Sequence, residues 1–262
     1  MLECILNVSE GRDPEVLDAL REAGGEDLLD RHVDPHHHRT VLTTVGEDAA
    51  RRIARVAVER IDLRTHDGVH PRLGAVDVVP FVALDGSTAA DAATARDRFT
   101  TWIGATLGVP AFRYGEDGEL PTLPEVRRRA FVDLAPDVGP EYPHPTAGAV
   151  AVGCRPALVA YNLWLVEPDL DRARAVASAV RGDGIRALGL AVGDRVQVSM
   201  NLVDPFRVGP AAAYDRVAAE VAVAGAELVG LVPRRVLEAI APGRWAGLDL
   251  AEDRTVEARL GR

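Results

Sequence analysis

The segment Thr65-His-Asp-Gly-Val-His-Pro-Arg-Leu-Gly74 is the densest group of residues that could perform chemistry. Histidine titrates near neutral pH, so His70 is a candidate general acid and base. Pro71 restricts the backbone, and the glycines permit the unusual angles of a tight loop. The segment can therefore hold His70 and Arg72 together. The alternative is a loop whose histidines only cap helix carbonyls.

A second cluster, His32-Val-Asp-Pro-His-His-His-Arg39, suggests a metal site when it is taken with His66 and His70. His66 and His70 are four residues apart, as in helical zinc pairs, but Gly68 and Pro71 disfavour a regular helix. No cysteine pair or glutamate-containing zinc motif accompanies them. We therefore expect no metal, and a solvated polar turn is the simpler interpretation of His36 to His38.

The stretch 196–201 alternates apolar and polar residues, with Gln197, Ser199 and Asn201 on one face of a predicted strand. Such a face commonly meets water. In a groove between two sheets, the same groups would hydrogen-bond a ligand.

The elements that would position these residues follow the hydrophobic pattern. The first half predicts strands at 3–8, 28–33, 39–45 and 75–84, helices at 14–23, 47–61 and 88–107, and a short strand at 111–114. Residues 115–147 form an irregular, proline-rich connector containing the arginine run 127–129 and a possible helical turn near Glu125. The second half predicts strands at 148–154, 157–166, 184–192, 195–202 and 226–232, with helices at 169–181 and 211–223.

Both halves contain the order β-α-β-β-α-β, which predicts an α/β (α+β) fold of two ferredoxin-like, split-βαβ subdomains. We place them at residues 1–145 and 146–262, with a ligand groove between them.

Composition narrows the class of protein. The 262 residues carry a net charge of −10, which disfavours a nucleic-acid partner. The two cysteines indicate no disulfide framework and fit a cytoplasmic location, and no signal peptide or membrane-length apolar run is expected. Lysine is absent, so arginine supplies every fixed cationic side chain, and Schiff-base chemistry on lysine is excluded.

Six stretches, in order along nearly the whole chain, resemble the formiminotransferase (glutamate formimidoyltransferase) family. They are Asn7-Val-Ser-Glu-Gly11, Gly68-Val-His-Pro-Arg-Leu-Gly-Ala-Val-Asp-Val-Val-Pro-Phe81, Tyr114-Gly-Glu116, Ala135-Pro-Asp-Val-Gly-Pro140, Val196-Gln-Val-Ser-Met-Asn-Leu202 and Val223-Ala-Gly-Ala-Glu-Leu-Val-Gly-Leu-Val-Pro233. The resemblance covers the two formiminotransferase subdomains, without the cyclodeaminase domain of some relatives.

The resemblance implies a homodimer that transfers a formimino group from formiminoglutamate to the co-substrate tetrahydrofolate, bound between the subdomains. The family's catalytic histidine falls on His70. Its folate-contacting segment falls on Gly139, Pro140, Glu141, Tyr142, Pro143, His144, Pro145, Thr146, Ala147 and Gly148. The chain departs from the family at Asp67, where lysine is common, at His38, where asparagine is common, and in a shorter connector.

The carboxylates of both substrates require cations, and arginine binds carboxylate with two parallel hydrogen bonds. We therefore expect Arg72, with Arg39 or Arg155, to form a positive patch near His70. Alternatively, Arg72 pairs with a structural acid such as Asp77. The sequence leaves open formyl transfer, a folate-binding protein without turnover, and a metal-dependent hydrolase.

Overall fold

A computed structural model describes residues 1–68, 71–115, 118–182 and 184–261. The chain forms two compact units, Met1–Arg155 and Pro156–Arg262. Within the described ranges, no helix combines the length and apolar character needed to cross a membrane.

The first unit is built on a six-stranded sheet in the order β2-β3-β1-β4-β6-β5. The strands are β1 (Leu2–Val8), β2 (Leu28–Asp34), β3 (Arg39–Val45), β4 (Val76–Ala83), β5 (Ala111–Tyr114) and β6 (Val150–Cys154). The first four strands pair antiparallel, whereas β6 runs parallel to both β4 and β5. The β2-β3-β1-β4 portion has the strand order of a split βαβ unit, which confirms the predicted subdomain type.

The described residues of this unit also form four α-helices: α1 (Pro14–Gly24), α2 (Glu47–Arg60), α3 (Ala89–Leu107) and the short α4 (Leu123–Arg129). The Asp13 side chain caps α1 by accepting from two amides of its first turn, and Thr88 begins α3 with a capping box. The apolar faces of the three long helices pack with the sheet in one core, which contains Leu6, Ile53 and Phe99.

The second unit is a four-stranded antiparallel sheet in the order β10-β7-β9-β8. Its elements are β7 (Val159–Leu165), α5 (Leu170–Val180), β8 (Ile185–Val192), β9 (Arg195–Leu202), α6 (Pro210–Ala218), β10 (Val223–Val229), α7 (Arg234–Glu238) and α8 (Val256–Arg259). The order of its four strands again matches the split βαβ arrangement, with its own core around Tyr161, Val198 and Met200.

Two details differ from the sequence prediction. The strand expected to open the second half, β6, belongs to the first sheet, because Ala151 pairs with Val78 and Phe112. The first compact unit consequently includes β6 and ends at Arg155. In addition, α6 ends at Ala218 and β10 starts at Val223, because the chain turns at Val217, whose carbonyl accepts from the amides of Glu220 and Val221.

Candidate functional site

The catalytic candidate His70 lies, with Val69, outside the described residues, but both flanks of its loop are described. The loop connects a 3₁₀ turn at Leu63–Thr65 to β4. The described residues on either side of His70 therefore define the candidate site.

Asp77, at the start of β4, is the centre of a buried charge cluster. Its side chain is 0% exposed, and Oδ2 accepts from Arg39 Nη1 at 2.8 Å and Arg127 Nη2 at 2.7 Å. Its Oδ1 accepts the backbone N–H of Leu73 at 2.7 Å. Burial by itself raises the pKa of Asp77, but Arg39, Arg127 and the Leu73 amide outweigh it and hold the pKa below its usual range. The carboxylate therefore stays charged and binds three separate segments.

Arg127, which extends from α4 in the connector, was not predicted from the sequence to belong to the site. Besides Asp77, it donates from Nη1 to the carbonyl oxygen of Pro71 at 2.7 Å. An acid inside the apolar run 75–84 signals that a cation must approach it, because a buried charge requires a partner. The irregular connector gave no indication of which arginine would do so.

Arg72 contacts neutral acceptors in its own loop. Its guanidinium contacts His66 Nδ1 and donates to the Gly68 carbonyl oxygen. Asp77 bonds Arg39 and Arg127. Burial lowers the pKa of Arg72, and the charges of Asp77 and Asp67 oppose that effect.

The His66 ring is packed between Arg72 and His38. Its centroid lies 4.0 Å from that of His38, and its Nδ1 accepts the Gly68 amide at 3.1 Å. Burial lowers the pKa of His66, and the charge of Arg72 lowers it further. A neutral ring with an accepting Nδ1 follows from these contacts. A side chain at position 68 would not fit, because a Cβ on Gly68 would come within 2.7 Å of His38 and His66.

Positive charge is concentrated beside this loop. Burial lowers the pKa of Arg39, and the charges of Arg127 and Arg72 lower it further, while Asp77 opposes them. The three guanidinium groups thus interact with one another around a single buried carboxylate.

Part of the predicted folate segment 139–148 lies directly against the residues that follow His70. Gly74 forms an antiparallel bridge with Gly148, and Ala75 N donates to Ala147 O at 2.9 Å. The segment closes on itself through paired hydrogen bonds between His144 and Gly148. Its tip is exposed, with Tyr142 at 68%. The fold therefore joins two motifs that are about 70 residues apart in the sequence.

Arg155 lies away from this cluster. It follows β6, and its amide donates to Phe81 O. In the parallel register of β4 and β6, its position is about 16 Å along the strands from that of Asp77, at about 3.3 Å per residue. Of the two arginines expected to accompany Arg72, Arg39 interacts with it electrostatically, whereas the backbone of Arg155 lies toward the other end of β4.

The polar face of β9 alternates as predicted, with Val198 and Met200 in the core of the second unit. On the other face, Gln197 is buried between Trp164 and Leu190 in register, Ser199 is half-buried, and Asn201 is exposed. Gln197 Oε1 is buried and has no hydrogen-bond partner among the described residues.

A metal-binding constellation of three or more histidine, cysteine, aspartate or glutamate side chains is absent from the described part of the chain. The turn 35–38 instead uses its histidines locally: His37 Nδ1 lies 2.5 Å from Asp34 Oδ2, and His38 contacts His66.

The comparisons with known proteins agree with this architecture. A sequence profile of the formiminotransferase domain, N-terminal subdomain, matches residues 1–155. The glutamate formimidoyltransferase of Streptococcus pyogenes serotype M1 is 36% identical over 90% of both chains. That of Thermoplasma acidophilum is 33% identical over 90% of this chain and 89% of its own. The formimidoyltransferase-cyclodeaminase of Sus scrofa is 33% identical over 90% of this chain, which spans only 51% of that relative. The chain belongs to the formiminotransferase family.

Proposed function

We propose that this protein transfers a formimino group from N-formimino-L-glutamate to tetrahydrofolate, producing 5-formiminotetrahydrofolate and glutamate. The observation that carries the proposal is the Asp77-centred arginine cluster beside the His70 loop, packed against the segment that the family uses for folate. The names of the relatives from Streptococcus pyogenes and Thermoplasma acidophilum support the same reaction.

The reaction is an exchange of one amidine nitrogen for another. N5 of tetrahydrofolate attacks the formimino carbon, and the tetrahedral intermediate collapses with loss of the glutamate nitrogen. The attacking N5 loses one proton, and the leaving nitrogen gains one. We assign both transfers to His70, which accepts the first proton and returns it to the leaving amine.

Binding of the substrates rests on charge and hydrogen bonding. Their carboxylates fit an arginine site, and Arg72 is the clamp that we propose, with Arg39 supplying nearby positive charge. The folate-binding residues proposed are the segment Gly139 to Gly148 and the polar face of β9. Gln197 supports this choice, because its buried Oε1 lacks a partner and a ligand N–H would satisfy it.

We also infer that the enzyme acts in the cytoplasm, in one-carbon metabolism fed by histidine degradation, and as a homodimer. The support is the family resemblance together with the low cysteine content. Light scattering on the purified protein measures the oligomeric state directly.

The test is an assay with formiminoglutamate and tetrahydrofolate, followed by mass spectrometry of both products. We expect glutamate and 5-formiminotetrahydrofolate to appear in equal amounts and only when both substrates are present. Glutamate release without tetrahydrofolate, abolished by a chelator, would instead indicate a metal-dependent hydrolase. Tetrahydrofolate binding with no product would indicate a binding protein, and activity only with a formyl donor would change the group transferred.

A further inference from the structure

The Arg127 guanidinium binds two parts of the site, the loop at Pro71 and the start of β4 at Asp77. Its Nη1 donates to Pro71 O and its Nη2 to Asp77 Oδ2, each at 2.7 Å. The side chain is 22% exposed. Pro71 directly follows His70, so the bond to its carbonyl oxygen fixes the loop one peptide unit from the catalytic candidate.

We propose that Arg127 is a positioning residue for formimino transfer, holding the His70 loop against the buried end of β4. The proposal rests on the function proposed above. Asp77 is fixed by Arg39 and by the Leu73 amide, so it provides a rigid anchor. The guanidinium of Arg127 connects the loop to this anchor. It is a planar group whose donors have fixed directions.

The connector is built to present this side chain. Thr122 and Glu125 form a capping box that begins α4, and Val126 is fully buried on the helix. These contacts orient the turn that carries Arg127. The neighbouring Arg128 is exposed and takes no part in the bridge, which makes it a matched control.

The competing explanation is that Arg127 only neutralises Asp77. Lysine separates the two roles, because it keeps the positive charge but has a single ammonium in place of the planar fork. Under the competing explanation, Arg127→Lys retains activity. Under our proposal it retains stability, but the bond from position 127 to the Pro71 carbonyl oxygen is weakened and kcat falls.

The experiment compares Arg127→Lys, Arg127→Ala and the control Arg128→Lys. We expect Arg127→Lys to lower kcat roughly 10- to 100-fold, the scale of an error of about 1 Å in positioning. Its KM for formiminoglutamate should change by less than roughly twofold, since the proposed clamp, Arg72, is intact. Free guanidinium should restore part of the activity of Arg127→Ala, and Arg128→Lys should match the wild type.

Hydrogen exchange of the peptide 66–74 supplies a readout that is independent of catalysis. It should be faster in Arg127→Lys than in the wild type and unchanged in Arg128→Lys. Wild-type kcat in Arg127→Lys, or a lowered Tm with kcat unchanged, would overturn the positioning role while leaving the proposed function intact. A wild-type enzyme without formimino transfer would overturn the proposed function itself, and hydrogen exchange would still show whether the bridge orders the loop.

Discussion

Asp77 and Arg39 form a 2.8 Å ion pair in which the side chain of Asp77 is fully buried and that of Arg39 is 16% exposed. The pair ties the start of β3 to the start of β4, next to the loop of His70. Arg127 completes the cluster from the connector. Because three segments depend on one carboxylate, its removal has a predictable cost.

Asp77→Asn should destabilise the protein by about 3 kcal/mol, because it leaves two largely buried guanidinium groups without their counter-charge. Urea denaturation measures the difference. The matched control is Asp133→Asn, which breaks the exposed pair with Arg129 and should cost about 1 kcal/mol or less. Equal losses in the two variants would show that the buried cluster contributes no special stability.

Arg72→Leu should raise the KM for the anionic substrate roughly tenfold or more, the value of a charged hydrogen bond. The defect should grow with additional folate glutamates if Arg72 faces the folate tail. Removing the guanidinium charge should also raise the pKa of His66, which NMR titration can follow. Arg64→Leu, which removes an exposed pair with Asp62, is the control. An unchanged KM with a lower Tm would make Arg72 a scaffold residue only.

Gly68→Ala should lower kcat/KM by roughly tenfold or more, because the added methyl displaces His66 and Arg72 from their contacts, and small misplacements are costly in a catalytic site. Gly243→Ala is the control, since its Cβ meets no heavy atom within 4 Å. Comparing the kinetics of the two variants tests the packing. Indistinguishable kinetics would mean that the loop tolerates the displacement.

Acid sensitivity should depend on Asp34. Partial burial opposes its ionisation, but hydrogen bonds and charge from His37 outweigh burial and lower its pKa to about 2. A lowered folded-state pKa gives stability that is complete above the unfolded value of about 3.9 and is lost as pH falls toward 2. Urea denaturation from pH 5 to pH 3 should therefore show a shallower loss in Asp34→Asn than in the wild type or the exposed control Asp85→Asn. Three parallel curves would contradict this assignment.

Much of the fold was predictable because local signals agreed with each other. The cap at Asp13, the alternation along β9 and the apolar run of β4 each identified their element. The place of β6 was not predictable, since parallel pairing is a long-range property that a five-residue apolar strand does not encode.

The candidate site was likewise predictable only in part. Residue type and motif indicated Arg39 and Arg72, whereas the partner of Asp77 in the connector depended on how an irregular segment folds back. Asp67 replaces the lysine that is common in the family. Its structural role is visible only in the folded protein, where Arg12 pairs with it at 2.7 Å.

The role proposed for His70 is tested by the turnover of His70→Ala with formiminoglutamate and tetrahydrofolate, with His36→Ala as a control in the neighbouring turn. We expect His70→Ala to fold with the wild-type Tm and to lose about 10²- to 10⁴-fold in kcat, the contribution of a general acid and base. His36→Ala should keep wild-type kcat. A His70→Ala enzyme with near-wild-type turnover would contradict the assignment of proton transfer to this loop.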